Sequence, residues 1–219
     1  MFKRIFGFLL IPLVLSFGSE VLGNTIQVDE LSKSKVGEFP TGWETFPFQK
    51  GKARKVYSIQ ENHGRKYIRA LDNQNISVII YRNFPWDLEK YPYLKFRWRA
   101  QRIPNGARET DPKKNDSACG VYLGFTRTQI LKYVWSDTLN PGTWWAKVPG
   151  KYTLVAKEKG ERHQGQWREV TIHVKKDYER YFGKKLMKNP MGVGILTDGN
   201  ALKTTSACDY GGFWIASKP

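Results

Sequence analysis

The sequence predicts an all-β fold, a jelly-roll-type antiparallel β-sandwich with one short helix, and three observations carry that prediction. The stretch "YPYLKFRWRA" alternates apolar and cationic residues strictly. Leu94, Phe96, Trp98 and Ala100 therefore share one strand face, and Lys95, Arg97, Arg99 and Gln101 the other. Short runs rich in β-branched and aromatic residues recur along the chain, separated by Asn, Gly, Asp and Pro clusters, as in a sandwich. Only one stretch, "KKDYERYFG", has helical spacing.

The chain starts with "MFKRIFGFLLIPLVLSFGSEVLG": Lys3 and Arg4, an apolar run from Ile5 to Phe17, and small residues ending at Gly23. This three-part order predicts a signal peptide over 1–23, either cleaved or kept as an anchor, and a periplasmic or secreted protein. Residues 24–219 are expected to form a single β-sandwich domain, because no repeat, linker or low-complexity tract divides them.

Strands are expected at 54–60, 66–72, 76–82, 91–100, 118–126, 130–137, 152–158, 168–175, 192–198 and 212–217. The helix is expected near 177–182, where Tyr178, Tyr181 and Phe182 follow i, i+3, i+4 spacing and Gly183 supplies a C-terminal cap. The alternation places Phe96, Trp98, Val121, Leu123 and Phe125 inside. Cys119 and Cys208 are the only cysteines. Two readings stand for them: a disulfide, as an oxidising compartment allows, or two buried thiols acting as small apolar residues.

The formal net charge of the full chain is +16, and removing the leader changes it by one unit. Outside the cytoplasm, such a chain is expected to meet polysaccharide or another envelope polyanion rather than nucleic acid. Beyond the leader, no apolar run approaches the length of a membrane span, so the processed chain is not expected to cross a bilayer.

Several pieces occur in a set order: "FPTGWETFPF", "YPYLKFRWRA", "NDSACGVYLGF", "KYVWSD", "GQWREVTIHVKKDYERYFG", "GVGILTDGN" and "DYGGFWI". In this order they resemble the domain of unknown function 3047 family of bacterial exported proteins. The resemblance implies an exported sandwich of jelly-roll type, like those of sugar-binding modules and some polysaccharide lyases. It implies no particular activity. Three acidic positions of the family pattern are neutral here, at Asn115, Asn200 and Gly212.

Candidate glycan-binding residues are the aromatics Trp144, Trp145, Trp135, Tyr133 and Tyr122 and the cations Arg97 and Arg99. Trp144 and Trp145 are expected in a Pro- and Gly-bounded loop, where exposed rings suit sugar C–H faces. Arg97 and Arg99 are expected either to pair with neighbouring acids, with Asp116 and Asp137 as candidates, or to take a uronate carboxylate. Asp116, Asp198 and Asn200 are the oxygen donors a calcium ion would use; otherwise no cofactor is expected. No nucleophile or phosphate-loop motif appears. The sequence thus points to a non-catalytic glycan-binding module for anionic or neutral polysaccharide at the cell envelope, with a polysaccharide lyase or glycoside hydrolase as the alternative and a structural or envelope-assembly role as a third.

Overall fold

The computed structural model describes residues 24–219; the signal peptide expected over 1–23 lies outside the described residues. Twelve strands are described: β1 (Thr25–Gln27), β2 (Tyr57–Asn62), β3 (Arg65–Asp72), β4 (Ile80–Asn83), β5 (Tyr93–Arg102), β6 (Ser117–Gly124), β7 (Ile130–Ser136), β8 (Trp144–Val148), β9 (Tyr152–Lys159), β10 (Arg168–His173), β11 (Gly192–Asp198) and β12 (Ser206–Ala216). One sheet has the order β10-β5-β12-β3-β2, with β1 also paired to β12; the other runs β4-β11-β6-β7-β9-β8. The two sheets face each other as a sandwich. All pairs are antiparallel except β7 with β9, which run parallel because the edge strand β8 lies between them in the chain.

The inward faces carry the expected residues. Phe96, Trp98, Val121, Leu123 and Phe125 are all buried, and Phe96 meets Trp98 and Phe213 at ring centroid distances of 5.1 and 5.7 Å. Burying each such side chain contributes about 1.5–3 kcal/mol relative to exposure, which is what fixes the register of β5. Cys119 and Cys208 form a disulfide with Cα atoms 5.4 Å apart, joining β6 of one sheet to β12 of the other.

The expected helix is α2 (Val174–Phe182), which ends at Gly183 with φ 66°. Its Tyr178 packs on Phe125, centroids 4.7 Å apart, so the helix closes one end of the core. A second short helix, α1 (Lys50–Val56), occupies the first half of the strand expected at 54–60. Its Ala53 and Val56 are buried while Lys52, Arg54 and Lys55 are exposed, a helical pattern that the β-rich "VYSI" after it obscures. The strand expected at 76–82 shrinks to β4, and that expected at 212–217 is the second half of β12. Trp144 and Trp145, expected in a loop, lie instead on β8.

Candidate functional site

On β5, burial alternates residue by residue, so Lys95, Arg97, Arg99 and Gln101 stand on the outer face of the first sheet. Strand pairing decides what they meet. Arg99 lies opposite Asp209 and Arg97 opposite Gly211 on β12, while Glu169 and Lys95's partner Thr171 come from β10. The acids expected to answer these cations, Asp116 and Asp137, are elsewhere: Asp137 accepts from the Gly106 N–H, and Asp116 from the N–H groups of Ala201 and Leu202.

Asp209 is fully buried and gathers several donors. Arg99 reaches it through Nη2 at 2.7 Å and Nε at 3.0 Å, Gln101 through Nε2 at 2.6 Å, and Arg69 of β3 through Nε and Nη2. These bonds push the Arg69 guanidinium pKa up, the hydrogen bond to Asp209 being the largest cause. Two guanidinium groups share one carboxylate, so the cluster keeps a surplus positive charge.

Arg97 is placed differently. Its Nε donates to the Gly211 carbonyl at 3.3 Å, and no carboxylate pairs with it among the described residues. Its guanidinium carbon sits 5.6 Å from the Trp167 ring centroid and 6.0 Å from that of Trp214. Arg99 lies 4.7 Å from Trp167 and 5.6 Å from Tyr67. The face thus carries a row in which aromatic and cation alternate: Tyr67, Arg99, Trp167, Arg97, Trp214.

Two glycines make this row possible. A Cβ on Gly211 would come within 2.9 Å of the Trp167 ring, and one on Gly212 would overlap the Trp214 indole. Gly212 also has φ +71° and is the extra residue where the register shifts between Gly211 and Phe213. This bulge turns Phe213 into the core and Trp214 outward. Without it, the strand's alternation would put Trp214 inside and Phe213 outside.

Two cavities adjoin the row. One, about 330 Å³, is lined by His63, Tyr67, Arg99 and Trp167 among others; the second, about 370 Å³, by Gln27, Gly212 and Trp214 among others. Arg65, Lys66 and Arg97 line both, so the two form one basic groove.

The family model described as "Protein of unknown function (DUF3047)" matches residues 41–214. The chain belongs to this family. The matched span includes every residue of the aromatic and cationic row. No curated protein matches the chain in sequence. Among solved structures, it is similar to a mutant of the family 29 carbohydrate-binding module CBM29-2, at 7% identity and TM-score 0.41 over 90% of this chain and 94% of that one. It is also similar to the xyloglucanase domain of NopAA, a type three effector from Sinorhizobium fredii, at 10% identity and TM-score 0.43 over 81% of this chain and 99% of that one. These values are too low to bear on ligand or activity.

The remaining candidates from the sequence scatter across the DUF3047 sandwich. Tyr133 and Trp135 are fully buried: the Tyr133 hydroxyl donates to Asp177 at 3.1 Å and Trp135 Nε1 to the Gly160 carbonyl at 3.0 Å. Neither can meet a glycan. They alternate inward with Leu131 on β7, a role their clustering with Trp144 and Trp145 in sequence masked. Trp144 is 46% exposed at the edge strand and packs on Tyr181 of α2, centroids 5.6 Å apart. Trp145 lies opposite Leu154. Tyr122 is on the second sheet, with Lys132 Nζ 5.3 Å from its ring centroid, and burial pushes its phenol pKa up.

Of the oxygen donors considered for calcium, the two aspartates are engaged by the protein. Besides the Asp116 bonds, Asp198 accepts from the Ser77 hydroxyl and the Ser117 N–H, both at 3.3 Å, and Asn200 is exposed in the turn beyond. Among the described residues, no group of three or more His, Cys, Asp or Glu side chains is placed to hold a metal ion. No described helix is long and apolar enough to cross a membrane.

Sequence reasoning missed Trp214, Tyr67 and Asp209, and it noticed Trp167 only as one of the tryptophans clustered in mid-chain, not as a site residue. The available signal was the outward position of Trp167 just before the alternating "REVTIH" and the Gly-Gly that precedes "FWI".

Proposed function

We propose that the protein is an exported, non-catalytic glycan-binding module that takes an acidic polysaccharide along the outer face of the β5–β12 sheet. The observation that carries this reading is Arg97, a guanidinium held between two indoles, opening on two cavities and paired with no described carboxylate. A uronate carboxylate or sulfate ester fits the guanidinium fork, while the Trp167 and Trp214 rings offer apolar faces to the sugar C–H groups on either side. Arg65 and Lys66 flank the same groove. The net charge of +16 draws a polyanion in from a distance. Export is supported by the leader pattern and by the disulfide, a bond that persists in oxidising compartments.

The test is titration calorimetry with oligogalacturonate and alginate oligomers against their carboxyl-reduced counterparts. Affinity should favour the acidic forms and fall with added salt. Arg97→Ala should weaken acidic binding by about ten- to a hundredfold, the worth of a charge-assisted contact. Equal affinity for acidic and reduced polymers, or an unaffected Arg97→Ala variant, overturns the reading.

A further inference from the structure

A cavity of about 860 Å³, more than twice the volume of either cavity on the first sheet, lies on the opposite outer face, over β4, β11, β6 and β7. Register explains it. Gly194 of β11 stands between Tyr81 of β4 and Tyr122 of β6. With neighbouring strands about 4.8 Å apart, the two tyrosine Cα atoms are roughly 10 Å apart across a position that has no side chain.

Gly124 continues this gap on β6. A Cβ at Gly194 would meet the end of the Ile79 side chain at 3.1 Å, and one at Gly124 the Met191 methyl at 3.3 Å. Both neighbours are flexible ends, so backbone packing does not demand these glycines. The Ile79 and Met191 side chains lie over the two glycines and give the trough an apolar floor. At the rim, Phe46 is 47% exposed and packs edge-on against Tyr81 at 6.0 Å.

The geometry points to a second binding site here, a trough one pyranose wide that takes a neutral saccharide chain. A peptide strand has little edge to join: β11 is hydrogen-bonded on both sides by β4 and β6, and the outer edge of β4 is already bridged at Tyr81 by Glu44. An acyl chain would leave one flank in water, since the trough is open to solvent. A pyranose presents its C–H face to the tyrosine rings and its hydroxyls to Asn83 and Arg127. Arg82, the other cation of the wall, is engaged by the Val28 and Gly42 carbonyls and by Glu30, and so does not read an anion. This site stands independently of the acidic-glycan reading, because it shares no residue with the first groove.

The two are separable by NMR of the isotope-labelled protein titrated with cellohexaose, mannohexaose and xylohexaose. At least one of the three should shift the Gly124 and Gly194 amides saturably while leaving the Trp167 and Trp214 indole N–H signals in place. Phe46→Ala, a surface change, should weaken that binding about three- to tenfold without altering the thermal midpoint. The proposal is overturned if none of the three produces a saturable shift at about 10 mM, where a millimolar site is nearly filled. It is also overturned if the shifts fall on Trp167 and Trp214, or if Phe46→Ala binds as the parent does. Failure here with acidic binding intact removes the trough alone.

Discussion

Replacing Asp209 by Asn should destabilise the protein through two guanidinium groups at once. The carboxylate is fully buried, and its partners are partly so, with side-chain exposures of 15% for Arg99 and 33% for Arg69. Asn keeps the shape but supplies one acceptor oxygen and turns an N–H₂ group towards donors. Removing one partner of a fully buried ion pair costs about 3–5 kcal/mol. Water reaching Arg69 screens part of that, leaving an expected loss of about 2–3 kcal/mol. For a chain of this size each kcal/mol lowers the midpoint by about 2–4 °C, so thermal unfolding should begin roughly 4–12 °C earlier. Urea denaturation gives the free energy directly. A double-mutant cycle of Arg99→Met with Asp209→Asn should show coupling of about 2 kcal/mol, and the cycle with the more exposed Arg69 less. A loss below about 1 kcal/mol, the range of exposed ion pairs, would refute the idea that this cluster holds the sheet face together.

Two further outcomes concern stability. Replacing Cys119 and Cys208 by Ala opens a loop of 89 residues in sequence separation, which the chain-entropy account values at roughly 4–5 kcal/mol; denaturant unfolding of the double variant should show a loss of at least about 2 kcal/mol, and a smaller one would mean that the core alone fixes the two sheets. Glu109 is buried and accepts from the Ser136 hydroxyl at 2.7 Å, and burial raises its carboxyl pKa above the ordinary value. A folded pKa above the unfolded one means that the native state binds the extra proton, so the cost of the charge is present at neutral pH and is relieved as pH falls through the folded pKa. Glu109→Gln should therefore stabilise by about 1 kcal/mol at pH 7 and lose that advantage on acidification; a variant less stable at pH 7, or a gain constant with pH, contradicts this.

The fold was legible where local pattern and tertiary environment agree. The alternation of 94–101 and of 119–125 names the inward residues of β5 and β6, and both strands are buried on that side as read. The helix α2 announces itself through Tyr178, Phe182 and the left-handed Gly183. Pattern failed where an element is short or sits at an edge. In "TWWAKV" the flanking Pro-Gly pairs outweigh a five-residue run, yet β8 pairs with β9 because the sheet offers it an edge. In "KARKV" the cations are spaced for a helix surface, but the apolar residues are too few to show a period before β2 begins.

The site was legible by half, and the missing half is the long-range half. The cations of β5 could be read from ten residues, but what they face depends on pairing with β12, 110 positions away for Arg99 and 114 for Arg97. A one-residue bulge at Gly212 then reverses which side of β12 looks outward. Simple alternation carried on from Asp209 and Gly211 would place Phe213 on the cationic face and bury Trp214. In the fold it is Trp214 that joins Arg97, and Phe213 that stacks on Phe96. The Gly-Gly pair is therefore what converts a row of strand cations into a groove with aromatic walls. It leaves room for one indole over Gly211 and permits the positive φ that turns the other outward at Gly212. Trp144 and Trp145, adjacent in sequence and conspicuous there, lie on the edge of the other sheet and contribute nothing to this groove. On the proposed function, ligand selection by this face would rest on the conformation of two residues without side chains as much as on the charged residues beside them.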